Sequence, residues 1–300
     1  MGDGTPEAAR IRFRGRLDAR AQQIIAGSAV PAAPRDAATV MLLRTAERSA
    51  GPPAAGRAAG DGDGGLEVYM LRRQSSMAFA PGAFVFPGGS VDRRDADKDV
   101  AWAGPGVAEW GQVFDAPPEL ARALVCAAVR ETFEESGVLL AGESADSVVA
   151  DTTSEDWEAD RRALLDRSVS LAELLSRRGL VLRADLLRPW SRWITPIVEE
   201  RRYDTRFFAA ALPAGQRTRD VGGEAAAVAW IAPLAAIEAG RRSEIVLWPP
   251  TAVTLAELAR CGDVETALAG PRLVAPRIPE VLLREGAAWL TVPGAGECPL

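Results

Sequence analysis

Four charged side chains fall close together in the sequence, and their types and spacing could do chemistry. Arg130, Glu131, Glu134 and Glu135 lie in 119–136, a segment with helical periodicity. At about 100° per residue they share one side of that helix, opposite its apolar residues. Carboxylates four residues apart repel, and near a helix C-terminus they also oppose the helix dipole. A divalent cation shared with substrate phosphates would relieve both penalties, whereas a solvated face with an Arg130–Glu134 ion pair is the alternative interpretation.

The composition excludes several other kinds of catalytic site. The 300 residues contain no His, which rules out Ser-His-Asp catalysis, Cys-His catalysis and His-ligated metals. Cys126, Cys261 and Cys298 have no metal-ligand spacing and suggest reduced thiols in a cytoplasmic protein. The net charge of −6 argues against a nucleic-acid partner. The sequence has neither an apolar run long enough for a membrane helix nor a secretory signal, so we expect no membrane partner.

The charged helix must be positioned by the elements around it, which we predict from hydrophobic periodicity. The predicted strands are 38–44, 66–73, 84–86, 206–212 and 225–231. The predicted helices are 119–136, 171–178, 234–239 and 254–269, the last interrupted near Gly262, with a further helix within 10–25. We expect Asp115 to cap helix 119–136 and 92–118 to be irregular. The order of elements indicates an α/β protein of the α+β type, with helices packed on a mixed sheet.

Two stretches resemble the signature of the Nudix hydrolase family. Segment 130–138, RETFEESGV, resembles the second half of the Nudix box, and 86–89, FPGG, resembles the turn that opens the box. Gly89 lies 41 residues before Arg130, so about 27 residues are inserted relative to a standard box. Counted back from Arg130, the upstream glutamate of the box aligns with Arg122, which predicts that this acid is absent.

Further motifs resemble the coenzyme A diphosphatase branch of that family, similar to mammalian Nudix motif 19. They lie at 77–89, 193–196, 201–208 and 248–251, and the resemblance covers roughly 35–255. It implies a Nudix fold, in which a mixed β-sheet is sandwiched between helices, with an insertion inside the Nudix box and a C-terminal helical extension.

The resemblance also suggests a division of the chain. We expect a partly disordered N-terminal extension at 1–34 and a Nudix domain at 35–255. Within that domain we place a flexible loop at 49–65 and the insertion at 90–116. A C-terminal extension at 256–300 would pack on the domain.

The activity that the resemblance implies is metal-dependent hydrolysis of a diphosphate linkage in a nucleoside-diphosphate-X substrate, coenzyme A or acyl-CoA. Mg²⁺ or Mn²⁺ would be held by the Gly89 carbonyl and by Glu131, Glu134 and Glu135. Arg130 would orient a glutamate through a charge-assisted hydrogen bond.

Residues outside the box would complete the site. Glu224, with Asp220 as the next candidate, would supply a metal ligand or the base. The candidates for binding substrate phosphates are Arg72, Arg73, Arg201 and Arg202. The tryptophans that could stack on a base are Trp190, Trp193, Trp230 and Trp248, although for Trp230 we expect core packing.

Two alternatives stay open at this point. The first is a Nudix hydrolase for ADP-ribose, NADH or dinucleoside polyphosphates. The second is a nucleotide-binding Nudix module without catalysis. Each of these readings predicts a small-molecule nucleotide as partner, and each leaves a homodimer open.

Overall fold

The computed structural model describes residues 10–12, 16–46, 65–74, 81–219, 225–270, 274–284 and 287–292. Its strands are β1 (Arg10–Arg12), β2 (Arg35–Thr45), β3 (Leu66–Arg73), β4 (Ala83–Val85), β5 (Gly88–Ser90), β6 (Trp102–Ala103), β7 (Ala141–Gly142), β8 (Val181–Arg183), β9 (Arg188–Ile194), β10 (Tyr203–Ala211), β11 (Ala225–Ile231), β12 (Val246–Leu247), β13 (Pro276–Arg277), β14 (Glu280–Arg284) and β15 (Ala287–Thr291). Its helices are α1 (Arg16–Ile25), α2 (Val107–Phe114), α3 (Pro118–Ser136), α4 (Glu155–Leu165), α5 (Leu171–Arg178), α6 (Pro233–Arg241), α7 (Pro249–Cys261) and α8 (Val264–Leu268), with 3₁₀ turns at Arg93–Ala96 and Ala184–Leu186. The loop that we predict at 49–65 lies, apart from Gly65, outside the described residues.

Nine strands form the central mixed sheet. Seven of them follow the order β12-β4-β3-β2-β10-β9-β13, with β5 beside β2 and β11 beside β3. Strand β2 runs parallel to β10 and antiparallel to β3 and β5. Two three-stranded sheets, β1-β15-β14 and β6-β8-β7, accompany it. The expected mixed sheet is confirmed.

Both faces of the central sheet are covered by helices. Along β2, Val40 and Leu42 belong to a core that includes the apolar face of α3. Met41 and Leu43 belong to a second core, which includes residues of α6 and α7. The centre of β2, residues 40–43, is an uninterrupted apolar run, as expected for a strand that is covered on both faces, whereas its ends carry charged residues. The predicted sandwich of a sheet between helices is therefore confirmed.

The segment that connects β5 to α3 is folded, although we predicted it to be irregular. It holds the 3₁₀ turn Arg93–Ala96, β6 and α2. In α2, the Trp110 and Phe114 rings lie 5.7 and 5.2 Å from the Phe208 ring on β10. Asp115 does not cap α3, because it ends α2 in a left-handed conformation with φ of 49°. Helix α3 instead begins after Pro117 with a proline, which needs no amide partner in a first turn.

The interruption predicted near Gly262 in the helical stretch 254–269 is confirmed, and two helices lie on either side of it. Helix α7 ends at Gly262, whose φ of 78° suits glycine, and α8 follows it. The expected domain boundary at 255/256 lies inside α7. The described residues after α8 form β13, β14 and β15, so the C-terminal extension is only partly helical. Within the described ranges, we find no helix with the length and apolar character needed to cross a bilayer.

Candidate active site

The second half of α3 presents its charged side chains toward β5, because its other side is fixed in the first core. Phe133 and Cys126 are completely buried there, and burial raises the pKa of the Cys126 thiol to about 12. Thr132 also points inward, at a position of the box that is usually apolar. Its hydroxyl donates to the Ala128 carbonyl at 2.7 Å, so the buried oxygen is satisfied within the helix.

The Arg130 guanidinium joins the groups of the site. It donates from Nε and NH2 to the two carboxylate oxygens of Asp95, each at 2.9 Å. NH1 donates to Glu131 at 2.7 Å and to Glu134 at 3.1 Å, and NH2 also donates to the Ser90 carbonyl at 3.0 Å. Paired, charge-assisted bonds of this kind fix both the distance and the orientation of the partners.

Asp95 is the site residue that the sequence analysis missed. Its side chain is 2% exposed and also accepts the Asp92 amide at 2.8 Å, closing a capping box around the 3₁₀ turn. The position of the upstream acid of the box can be counted from either end of the box. The count back from Arg130 gives Arg122, but it crosses the inserted residues. The count of six residues forward from Gly89 gives Asp95. The acid that we predicted to be absent is therefore present as an aspartate, and the inserted residues follow position 95 instead of beginning at 90, as we expected.

Two glycines allow close approaches at β5, one to β2 and one to α3. A β-carbon at Gly88 would lie 2.5 Å from the Ala38 carbonyl oxygen, so the backbone of β2 excludes a side chain there. A β-carbon at Gly89 would lie 2.5 Å from Oε1 of Glu131, so a side chain there would displace that carboxylate. The Gly88 amide donates to Glu135 Oε2 at 2.8 Å. The Gly-Gly turn thus brings two glutamates of α3 against the backbone of β5.

The carboxylates of this cluster are largely removed from water. Burial raises the pKa of Glu131 to about 7, although the Arg130 charge opposes this shift. Burial also raises the pKa of Glu134, whose side chain is 7% exposed, against the same guanidinium. Added positive charge among these groups would favour their ionised forms.

The ligand atoms that these residues offer are of the chemical type that a hard divalent cation binds. Glu131, Glu134 and Glu135 offer carboxylate oxygens and Gly89 offers a carbonyl, which are the ligands that Mg²⁺ and Mn²⁺ prefer. In the described part of the chain, no three acidic, thiol or imidazole side chains are arranged as a metal site. Glu131 and Glu134 instead bind Arg130, so ligation by all three requires rotation of these side chains. Their roles as ligands stay predictions.

An open cavity of about 1650 Å³ surrounds the glutamates. Among the residues proposed from the sequence, Arg73, Arg201, Trp193 and Trp248 line it. Arginines 93, 94 and 167 also line it, and nothing in the sequence pattern distinguished them from other surface arginines.

Other predicted residues lie elsewhere. Arg202 is not a lining residue and donates to the carbonyls of Thr195 at 3.0 Å and Ala32 at 2.7 Å, so it holds two chain segments together. Arg72 does not line the cavity either. Glu224 and Asp220 fall outside the described residues.

Two of the four tryptophans also lie away from the cavity. The Trp190 side chain is buried and donates to Glu257 at 2.7 Å. The Trp230 ring packs 5.4 Å from the Tyr69 ring at the first core. These contacts give both rings a structural role.

Comparisons with known proteins agree with this arrangement. Residues 107–260 match the family described as NUDT19 Nudix domain. Over 264 residues the chain is 30% identical to the chicken (Gallus gallus) acyl-coenzyme A diphosphatase NUDT19, covering 75% of this chain and 68% of that protein. The Xenopus laevis protein of the same name is 29% identical over 229 residues, which are 64% of this chain and 59% of that protein. A crystal structure of a NUDIX hydrolase from Alicyclobacillus acidocaldarius superposes with a TM-score of 0.63 at 26% identity, covering 81% of this chain and 99% of that one.

Proposed function

Because the chain belongs to the NUDT19 Nudix domain family of hydrolases, we propose that it hydrolyses the diphosphate linkage of coenzyme A or acyl-coenzyme A. The observation that carries this proposal is the set of α3 glutamates held against the Gly-Gly turn, inside a cavity large enough for a nucleotide. The names of the chicken and frog relatives support the choice of substrate.

In this proposal Glu131, Glu134, Glu135 and the Gly89 carbonyl hold Mg²⁺ or Mn²⁺. When bound, the cation supplies neutralisation of the diphosphate charge and a lower pKa for the attacking water. Arg130 is anchored by Asp95 and donates to Glu131 and Glu134. For all three glutamates to bind the cation, Glu131 and Glu134 would have to turn toward it, and Arg130 would orient the glutamate that keeps its contact.

Arginine side chains would bind the substrate phosphates. Arg73 and Arg201 lie in the cavity wall, and arginine donates to phosphate oxygens in pairs. Glu224, or next Asp220, is the carboxylate that we expect to act as base. The N-terminal limit of the domain at 34/35 and a cytoplasmic location are further predictions, and a homodimer stays open, whereas the expected limit at 255/256 falls inside α7.

The experiment that tests the substrate is a turnover panel with Mg²⁺ and with Mn²⁺. Coenzyme A, acyl-CoA, NADH, ADP-ribose and a dinucleoside polyphosphate would be compared at equal concentration, with products identified by mass spectrometry. We expect coenzyme A or acyl-CoA to give the highest kcat/KM and a phosphopantetheine-containing product. If ADP-ribose or NADH is cleaved preferentially, that compound and not coenzyme A is the substrate. If none of the compounds is cleaved, a nucleotide-binding module without catalysis is favoured.

The glutamates are tested by Glu135→Gln. This change keeps the size of the side chain but removes a charge from the proposed ligand set. Because even the partners of metal ligands can contribute up to about a hundredfold in activity, we expect kcat to fall by more than that. Circular dichroism should show an unchanged fold. Glu143→Gln, at an exposed position outside the cavity, is the matched control, and wild-type turnover in Glu135→Gln would refute the assignment.

A further inference from the structure

The cavity continues beyond the glutamates across one face of the central sheet. Strand β5, which carries the Gly-Gly turn, is followed across the sheet by β2, β10 and β9. Three strand spacings of about 4.8 Å place β9 some 14 Å from β5. A ligand with its diphosphate at the glutamates can therefore extend a long group over this face.

The register of the strands shows which side chains lie side by side on the floor of this region. Phe207 on β10 lies beside Thr39 on β2, and Thr205 lies beside Trp193 on β9. All four residues line the cavity, and Phe207 and Trp193 also belong to the second core. These four floor residues are two threonines and two aromatic side chains, and none of the four carries a charge, whereas Arg35 lines the cavity farther along β2.

The walls are supplied by later parts of the chain. Pro250, at the start of α7, lines the cavity together with Pro279 and Leu290. Leu290 is 6% exposed and packs in the same core as Phe207. We call Trp193, Phe207, Pro250, Pro279 and Leu290 the apolar arm. Two of its members, Pro279 and Leu290, lie beyond the region 107–260 that matches the family.

The aromatic rings of the apolar arm are already engaged by protein groups. The Arg277 guanidinium lies 5.4 Å from the centre of the Trp193 ring, and the Phe86 ring meets the Phe207 ring edge-on at 6.5 Å. Both side chains are more than nine-tenths buried. Stacking of a planar base needs an open ring face, whereas a flexible hydrocarbon chain packs against edges and aliphatic groups. The apolar arm is therefore better suited to a chain than to a base.

We propose that the apolar arm receives the acyl end of an acyl-coenzyme A and that Leu290 determines specificity for the acyl chain. This inference rests on the proposed function, since it requires the diphosphate of that substrate to lie at the glutamates. The acyl group makes no covalent contact with the protein and is unchanged by the reaction.

The first test uses the wild-type protein with free coenzyme A and with acetyl-, butyryl-, hexanoyl- and octanoyl-CoA. Because burial of one methylene favours binding by about fourfold, we expect kcat/KM to rise at least tenfold from coenzyme A to octanoyl-CoA, mainly through KM. A second readout is the thermal shift in EDTA, where octanoyl-CoA should raise Tm more than coenzyme A does. Equal kcat/KM and equal shifts along the series would overturn the inference.

The second test compares Leu290→Gln with Leu290→Met. The glutamine places a polar amide in the apolar arm, and we expect the ratio of kcat/KM for octanoyl-CoA over coenzyme A to fall about tenfold. Methionine is apolar and similar in volume, so it should keep the wild-type ratio. Leu234→Gln, at a residue that is 62% exposed outside the cavity, is the control. If Leu290→Gln fails to fold, the dependence of kcat/KM on acyl-chain length in the wild-type protein decides whether the apolar arm binds the acyl group.

The outcomes separate the two proposals. If neither coenzyme A nor any acyl-CoA is cleaved while another nucleotide is, the proposed substrate is wrong. If coenzyme A is cleaved but chain length and Leu290 have no effect, only the acyl assignment is wrong. If Leu290→Gln weakens both substrates equally, the apolar arm binds a part that they share, such as the pantetheine chain between the diphosphate and the sulfur, and the acyl assignment is likewise wrong.

Discussion

Arg130 is fixed by groups that come from two different parts of the chain. Glu131 and Glu134 belong to its own helix, whereas Asp95 and Ser90 come from the segment around the Gly-Gly turn. The guanidinium is thus the connection between the glutamates and the turn. Since Asp95 accepts two of its bonds and is nearly completely buried, this aspartate controls where Arg130 can direct its remaining donors.

The role of Asp95 can be tested with Asp95→Asn. The variant keeps the shape of the side chain but replaces a bidentate ion pair by a neutral contact. Bonds to charged groups contribute about 1.5–3 kcal/mol, and we expect the free energy of unfolding to fall within that range. We expect kcat to decrease about tenfold, because outer partners of a metal site have effects of this size. Urea denaturation and steady-state kinetics provide the measurements.

The control for this prediction is Asp99→Asn, at an exposed aspartate that follows the same 3₁₀ turn. This substitution should leave both stability and kcat close to the wild-type values. If Asp95→Asn behaved in the same way, the pairing with Arg130 would have no importance for the site.

At the scale of single residues, part of the site was predictable. Helical periodicity alone places Arg130 and its three glutamates on one face, which the structure confirms as a geometric arrangement. The contribution of Asp95 was not predictable from that helix, because it depends on the position of the inserted residues, which separate Asp95 from Arg130 in the sequence. The 2.5 Å limit at Gly89 is also a tertiary property, since it depends on how α3 meets β5.

At the scale of elements, the prediction found most of the described helices and five strands, but it missed β9, a seven-residue strand of the central sheet. The bounds of β3 and β11 agree with the prediction, because a period of two or an apolar run bounded by turn residues is a local signal. Helices α2 and α4 were missed. The charged sequence of α4 has a weak apolar face, and α2 has only eight residues, which is too short for its periodicity to stand out. Contacts made after folding, such as Trp110 with Phe208, stabilise α2.

Helix α4 supports the site through a buried arginine. Arg161 donates from NH1 to the Glu134 carbonyl at 2.8 Å, and from Nε and NH2 to Glu158 at 2.9 and 2.7 Å. The side chain of Arg161 is 4% exposed and that of Glu158 is 22% exposed. The pair therefore links α4 to the end of α3 that carries the glutamates.

This link predicts a pH-dependent stability. The hydrogen bond from Arg161 lowers the pKa of Glu158 to about 2, below the ordinary value of 4.5. A lowered pKa stabilises the fold above the ordinary value, and that stabilisation is lost as the pH falls from about 4.5 toward 2. We expect Glu158→Gln to lower the free energy of unfolding by about 1 kcal/mol at pH 7.

The measurement is urea denaturation of wild type and Glu158→Gln between pH 7 and pH 3. The difference between the two should shrink as the pH decreases, because the wild-type carboxylate is increasingly protonated. Glu155→Gln, at an exposed position of the same helix, should show no such trend. A difference that stayed constant with pH would contradict the assignment.

At the scale of the whole molecule, α7 argues against a domain boundary at 255/256. Leu255 and Leu258 are completely buried in the second core, on either side of that position. Ala267 of α8 belongs to the same core. The residues that follow 255 are therefore part of the core beneath the sheet. They are not an extension that packs on a domain already complete without them.

Two shortened chains test this conclusion. A protein of residues 1–255 loses Leu258 and the end of α7, and loss of one buried leucine alone costs about 3 kcal/mol. We expect it to unfold at a temperature about 10 °C or more below that of the full chain, or to remain unfolded. A protein of residues 1–270 keeps α7 and α8 and should fold more stably. Thermal unfolding followed by circular dichroism would show this, and equal Tm values for 1–255 and the full chain would support the boundary that we first expected.

The pairing of β1 with β15 brings Ile11 opposite Leu290. Contacts between residues so far apart in sequence are slow to form, because a long loop must close first. During synthesis on the ribosome, β1 emerges long before its partner strand exists. Until then β1 has no strand to pair with, so the sheet β1-β15-β14 is completed only after all the strands of the central sheet have been made.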